Sequence, residues 1–427
     1  MKFSRIGFSL LAASALTLGT VAMTSAQEGE LSGDLEIFSW WTGGGEEAGL
    51  AGLIERFNEL NPGVNIINSA VAGGSGVNAR AVLTSRMLGG DPPDTFQVHA
   101  GAELNDLWVR AGLMQPLNDI YEANGWLEQY PEGLLSLISD AEGNIYSVPV
   151  NIHRSNVLWY VPENLTEWGV TVPADWTEFV NETCPALQAA GVTPLSVGEN
   201  WTQAHLWESV ALAVLGAEAY NGLWDGSTSW TSPEAVSVWE TYGQVLDCTN
   251  EDRNALTWQD ASRLVADGGA AFNIMGDWAA GYFIVDLALE PETGFGWAAS
   301  PGTDGAFMML SDTFGLPLGA PNEENVRAWL TFLGSAEAQD IFNPVKGSLP
   351  ANTTADISNP ELYNAYFQSA YESWTSDAIV GSQAHGAVAS PAFSNGFATI
   401  IATFAVDHDA TSAAANTATL AIQTGGM

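Results

Sequence analysis

Apolar residues along the first hundred positions switch between two periods. Leu35-Glu36-Ile37-Phe38-Ser39-Trp40 predicts a strand. After Gly43-Gly44-Gly45, the residues Leu50, Leu53, Ile54, Phe57 and Leu60 recur at helical spacing, and Asn61-Pro62-Gly63 stops that helix. Val64-Asn65-Ile66-Ile67 begins a second strand, the glycine-rich turn Gly73-Gly74-Ser75-Gly76 precedes a helix around Asn78 to Leu88, and Thr95-Phe96-Gln97-Val98 is a third strand. Strands and helices alternating over about 70 residues predict an α/β fold with a parallel sheet. The Ala/Thr-rich tail from Thr411 to Gly426 is compatible with a helix followed by a frayed end.

Parallel α/β sheets bind ligands outside the carboxyl ends of their strands. Those ends carry Trp40 and Trp41, then Gly73 to Gly76, then Gln97 and His99. Aromatic faces, exposed backbone and neutral polar groups at one edge suit a carbohydrate, whose apolar face stacks on Trp and whose hydroxyls need dense hydrogen bonding. Adjacent strand residues face opposite sides, so at most one of Trp40 and Trp41 enters the same core face, and at least one is expected to touch ligand. Asp312 ends the strand-like run Met308 to Ser311, and Asp277 with Trp278 follows the strand-like Phe272 to Gly276. Each acid reads as a cap or as a bidentate acceptor for sugar hydroxyls. His99 and His385 read equally as satisfied buried histidines.

Lysine usage sharpens the picture. Only Lys2 and Lys346 occur. Lys346 sits in Asn343-Pro344-Val345-Lys346-Gly347-Ser348-Leu349-Pro350, a stretch too rich in turn residues for a helix interior. A lone ammonium that can donate three hydrogen bonds is a candidate site residue, against the plainer reading of a surface lysine.

At 427 residues the chain is too long for one core, and two domains are expected. Eleven basic residues against fifty acidic ones give a net charge of −39, which repels nucleic acid and anionic lipid and disfavours an acidic substrate. With 46% hydrophobic and 10% aromatic residues, this is not a disordered composition. Residues 1–26 read as a secretory signal peptide: Lys2 and Arg5, the apolar stretch Ile6 to Met23, and Thr24-Ser25-Ala26 before Gln27. No Cys follows that cleavage site to carry a lipid anchor, and no later stretch reaches the ~18 apolar residues of a membrane span. An exported protein, periplasmic or extracellular, is therefore expected. Cys184 and Cys248 are either a disulfide, worth ~3–4 kcal/mol in the chain-entropy model, or two buried thiols. There is no Gly-x-Ser-x-Gly elbow, phosphate loop or dinucleotide fingerprint, and the five histidines lack metal-ligand spacing. No catalytic residue, cofactor or metal is expected.

Several segments together resemble a known family. They are Phe38-Ser39-Trp40-Trp41-Thr42-Gly43-Gly44-Gly45-Glu46, Gly89-Gly90-Asp91-Pro92-Pro93-Asp94, Gln97-Val98-His99-Ala100 and Val148-Pro149-Val150-Asn151-Ile152-His153-Arg154. Gly198-Glu199-Asn200-Trp201, Ile274-Met275-Gly276-Asp277-Trp278, Pro301-Gly302-Thr303 and Lys346-Gly347-Ser348 follow in order. The chain resembles the periplasmic sugar-binding proteins of bacterial ABC importers, the family 1 extracellular solute-binding proteins, and within them the group that binds glucose and galactose. The resemblance implies a type II-like periplasmic binding protein fold, two discontinuous lobes closing on sugar about a hinge. The N-terminal lobe would comprise 27–147 plus 298–345 and the C-terminal lobe 148–297 plus 346–427. Trp40, Trp41 and Trp278 would stack on or cap the pyranose. Glu46, Gln97, His99, Asp312, Lys346 and His385 would bind its hydroxyls, with Asn151 and Asp277 as further nominations. Two departures stand out: Glu47 competes with Glu46 after the three glycines, and some glucose binders have Lys where His99 stands. The implied function is a non-enzymatic monomer that delivers a neutral hexose to a membrane-embedded ABC permease. The alternatives are a binder of a disaccharide or larger glycan, and a secreted glycoside hydrolase, which would need two opposed carboxylates ~5–5.5 Å or ~6.5–9.5 Å apart.

Overall fold

β1 (Gly33–Phe38), α1 (Gly44–Leu60), β2 (Val64–Asn68), α2 (Val77–Gly89) and β3 (Thr95–His99) follow the predicted order. The computed structural model describes residues 30–73 and 76–425, so the expected signal peptide and Gly74-Ser75 of the glycine turn lie outside the described residues. β1 pairs in parallel with β2, Gly33 opposite Val64, and with β3, Phe38 opposite Phe96. α1 buries Leu50, Leu53 and Phe57 from its apolar stripe, and the Asn61 N–H bonds Phe57 O where the helix stops.

The remaining strands are β4 (Ser147–Pro149), β5 (His153–Arg154), β6 (Val157–Tyr160), β7 (Thr193–Ser196), β8 (Ala270–Ile274), β9 (Gly296–Ala299), β10 (Ala306–Leu310), β11 (Asp312–Gly315) and β12 (Ala378–Gly381). They form sheets ordered β2-β1-β3-β11-β4, β12-β10-β5 and β7-β8-β6-β9. The first sheet is mixed rather than wholly parallel, because β11 returns antiparallel between β3 and β4. That return places the start of β11 at the carboxyl end of β3, with Asp312 opposite His99.

Strand pairing also shows where the chain passes between sheets. Only residues 150–152 separate β4 in the first sheet from β5 in the second, and Ser311 alone separates β10 from β11. Pairing ties β9 to β6, and β10 to β12 and β5, which keeps residues 298–310 with the second and third sheets. The helices Asn200–Asp225, Pro233–Leu246 and Pro391–Asp407 bury Trp207, Trp239, Phe397 and Phe404 in a core of their own, where Cys184 and Cys248 are disulfide-bonded. Among the described residues no helix is long and apolar enough to cross a membrane.

The stretch around Lys346 departs from its reading as a turn. Ala336–Lys346 is a helix that includes Pro344, and Lys346 is its last residue. The turn-forming residues serve as its C-cap: Gly347 adopts φ +89°, and the N–H groups of Gly347 and Ser348 both bond Asn343 O.

Candidate functional site

Three helix ends meet because two glycines stand where they touch. A Cβ on Gly45, at the start of α1, would lie 2.2 Å from Val345 O, and one on Gly281, in the helix Trp278–Val285, would lie 2.5 Å from Lys346 O. Backbone can approach backbone this closely only without side chains. Lys346 Nζ donates to Glu46 Oε1 at 2.9 Å and lies 5.7 Å from the centre of the Trp278 ring, within cation–π range. At 2% exposure this is no surface lysine.

Beside that junction is a cavity of about 250 Å3. Trp40, Glu46, His99, Trp278, Asp312, Lys346 and His385 line it, all nominated from the sequence. Glu46 rather than Glu47 faces it, since Glu47 is exposed on the next position of α1.

Four nominated residues stand behind the wall instead. Trp41 is 1% exposed and packs on Phe314 and Phe342, so the two tryptophans part as alternation requires, Trp40 to the cavity and Trp41 to the core. Gln97, Asn151 and Asp277 are second-rank supports because each spends its polar atoms on another site residue. Gln97 Nε2 donates to Asp312 Oδ1 and Asn151 Nδ2 to Asp312 Oδ2, both at 2.8 Å. Gln97 Oε1 also accepts from Trp40 N at 3.1 Å, and Asn151 Oδ1 from Asp312 N at 2.8 Å. Asp277 takes the Nδ1 of His153 and the backbone N–H of Arg154.

These contacts set the charges. Burial works to raise the Asp312 pKa, but the hydrogen bond from His153 and the Lys346 charge hold it well below the usual carboxylate range. Burial likewise opposes protonation of His153, and Asp277 together with Asp312 overcomes it, so that pKa is raised. Burial pushes Glu103 up, and Arg80 and His99 bring it below its ordinary value; its Oε2 lies 2.9 Å from His99 Nδ1. A carboxylate only accepts, so His99 carries its proton on Nδ1. Asp312 has about four lone-pair sites, and the two side-chain amide bonds with the one from His153 leave capacity for a further donor.

The neighbours of His385 fix its tautomer in the same way. His205 Nε2 is 2.9 Å from Ser155 O, which can only accept, so that nitrogen bears the hydrogen. Burial lowers the His205 pKa to about 4, leaving the ring neutral and its Nδ1 an acceptor. His385 Nε2, 3.0 Å away, must then be the donor, and a neutral His385 keeps a bare Nδ1. Burial, then His205 and His99, hold the His385 pKa well below its ordinary value. Glu208 fixes the backbone under it by accepting from the N–H groups of Gln383 and Ala384.

Sequence reasoning missed His153, Trp201, Trp258 and Gln259 as cavity residues. His153 had a usable signal, two positions beyond Asn151 and so on the same side of an extended segment. Trp258 and Gln259 had none: they reach the cavity at the start of the helix Trp258–Ala266, capped by Thr257 and Asp260.

Residues 42–340 match the model of the bacterial extracellular solute-binding proteins. The chain belongs to that family. This solute-binding protein is 34% identical over 386 residues to an uncharacterized ABC transporter extracellular-binding protein of Pyrococcus horikoshii, covering 89% of this chain and 86% of that one. It is 30% identical over 387 residues to a probable sugar-binding periplasmic protein of Brucella suis, covering 88% of each. Among solved structures it is similar to the bacterial solute receptor AcbH, described as exclusively preferring β-D-galactopyranose, with TM-score 0.79, 19% identity and coverage of 92% of this chain and 98% of the receptor. The expected two-domain periplasmic binding protein fold is thereby established.

Proposed function

We propose that this protein is the substrate-binding component of an ABC sugar importer, that it takes a neutral hexose of the glucose/galactose type into the 250 Å3 cavity, and that it delivers the sugar intact to a membrane permease. The observation that carries the reading is the lining itself. Indole rings from Trp40 and Trp278 flank a charge-paired ammonium, a buried carboxylate and two histidines whose protonated nitrogens are assigned. Trp rings suit the apolar face of a pyranose, and fixed donors and acceptors suit its hydroxyls. An epimer that misplaces one hydroxyl leaves a buried group unpaired, which is how such a site discriminates. Related proteins named as sugar-binding support the sugar class.

The lobes on this reading are residues 31–150 with 312–346, and residues 152–310 with 349–425, hinged at 151, 311 and 347–348. They close as a monomer, and the permease reads the closed shape.

Titration calorimetry of the mature protein with glucose, galactose, mannose and arabinose, followed by recovery of the sugar, tests the proposal. One-to-one heat with glucose or galactose and intact sugar is expected. Lys346→Ala should weaken it ~10–150-fold, the loss of a charged hydrogen bond worth ~1.5–3 kcal/mol. Heat with no sugar, or recovered cleavage products, overturns the proposal.

A further inference from the structure

His205 is fully buried and stands behind the cavity lining, yet it is the hydrogen-bond partner of His385, which lines the cavity. The two belong to a closed circuit of hydrogen bonds. His205 Nε2 donates to Ser155 O at 2.9 Å, Ser155 Oγ meets Glu208 Oε1 at 2.9 Å, and Glu208 Oε2 accepts from the N–H groups of Gln383 and Ala384, which lead into His385. Ser382 Oγ lies 2.8 and 3.0 Å from the two Glu208 oxygens and accepts from the N–H of His385 at 3.3 Å. The turn that carries His385 is thus tied to the helix Asn200–Asp225, on which His205 and Glu208 share a face at i and i+3. Trp278 and Trp201 stand edge-on to the His385 ring, with centroids 5.0 and 5.6 Å away, and hold its plane.

This circuit orders protons in one direction. Ser155 O can only accept, so the order runs from the His205 Nε2–H through the bare His205 Nδ1 and the His385 Nε2–H to a bare His385 Nδ1. Among the described residues that last nitrogen has no hydrogen-bond partner, and it is not sealed from solvent, so it opens to the cavity. Burial, with His205 and His99, opposes a second proton on the ring. A hydroxyl satisfies a bare nitrogen by donating to it. Fluorine, of similar size, cannot donate and would set lone pair against lone pair.

We propose that His205 is a specificity-determining positioning residue: by accepting from His385 Nε2 it keeps the facing Nδ1 bare, and the cavity thereby selects a sugar with a donating hydroxyl opposite His385. This rests on the sugar-binding reading above. It adds a direction to one hydrogen bond, set by a residue that touches no ligand.

The experiment has a ligand-free arm and a sugar arm. In the first, 15N NMR of the histidine-labelled mature protein resolves the two ring nitrogens of His385, assigned by their loss in His385→Gln. The wild type should show its proton on Nε2 and a bare Nδ1. His205→Leu removes the acceptor and should move the proton to Nδ1, whereas His205→Asn puts an acceptor oxygen near the place of the lost nitrogen and should return the proton to Nε2. Neither side chain replaces the N–H given to Ser155 O, so a merely structural role for His205 would affect both variants alike. In the second arm, calorimetry compares glucose and galactose with their monodeoxyfluoro analogues. In the wild type and His205→Asn, fluorine at the sugar position facing His385 should weaken binding at least ~10-fold, and in His205→Leu that penalty should shrink to ~2-fold or less at that position alone. A proton on Nδ1 in the wild type overturns the proposal without any variant. A proton that stays on Nε2 in His205→Leu, or fluorine penalties identical in all three proteins, also overturns it and leaves the hexose site standing. If no hexose binds, the sugar reading falls and the selectivity with it, whereas the NMR arm judges the control of the tautomer on its own.

Discussion

Asp312→Asn is an almost isosteric change, and the structure says it should still be expensive. Each carboxylate oxygen accepts from a side-chain amide, Oδ1 from Gln97 and Oδ2 from Asn151, both at 2.8 Å. An asparagine has one oxygen and one NH2, so either orientation sets a donor against a donor. Neither neighbour can flip to help. Gln97 Oε1 is held by Trp40 N, and Asn151 Oδ1 by the backbone N–H of residue 312 itself. One buried N–H is thus left unpaired, at ~1–3 kcal/mol, before any loss from the vanished charge opposite His153 and Lys346. Against a total stability of ~5–15 kcal/mol this is easily measured. Urea titration followed by Trp fluorescence should show the midpoint fall, and the double variant Asp312→Asn with Gln97→Glu should regain much of it. In the double variant a carboxylate at 97 accepts from both Trp40 N and the new amide. An Asp312→Asn midpoint equal to the wild type, or a double variant worse than the sum of its singles, would refute the assigned hydrogen-bond directions.

Trp40→Ala should weaken hexose binding by about tenfold with the smaller loss of stability, since Trp40 lines the cavity, whereas Trp41→Ala should cost ~3–5 kcal/mol of stability as a core deletion; calorimetry and urea titration separate the two. Replacing Cys184 and Cys248 by serine should cost roughly 2–5 kcal/mol, because the bond spans 64 residues, and an unchanged midpoint in oxidised protein would contradict it. Burial pushes Glu208 up to about 7, so the fold holds a proton that the unfolded chain releases near ~4.3. The stability this gives is fully present below the unfolded value and is lost as pH rises through about 7. Glu208→Gln cannot ionise, and relative to it the wild type should lose roughly 3 kcal/mol between pH 4 and 8; parallel pH profiles would show that Glu208 is ionised throughout.

The legible parts of this protein were those governed by local period and turn chemistry. The opening three strands and two helices follow from spacing and from Asn61-Pro62-Gly63, and α1 buries the stripe that its pattern marks. What the chain does not announce is long-range pairing. Nothing local at Ser311 says that β10 and β11 belong to different sheets, because that is decided by partners near residues 97, 148, 153 and 379. The turn-rich reading of the Lys346 stretch mistook a helix cap for a loop, as Asn, Gly and Ser serve both. In the site, residue type could nominate Gln97, Asn151 and Asp277, but only geometry distinguishes a group that faces ligand from one that holds such a group in place. The same limit applies to Trp41.

On the proposed function, those supporting residues explain how a chain with so many acids would offer a neutral sugar a site. A buried carboxylate is tolerable only when paired and hydrogen-bonded. Glu46 has Lys346; Asp312 has Gln97, Asn151 and His153; Glu103, behind His99, has that ring and Arg80; Asp277 has His153 and the Arg154 N–H. Each pairing also orients a group that faces the cavity. The charges are therefore spent on fixing donors and acceptors rather than on attracting a charged ligand. On the proposed reading a cavity so arranged selects by where hydroxyls point, with its lysine held between Glu46 and Trp278.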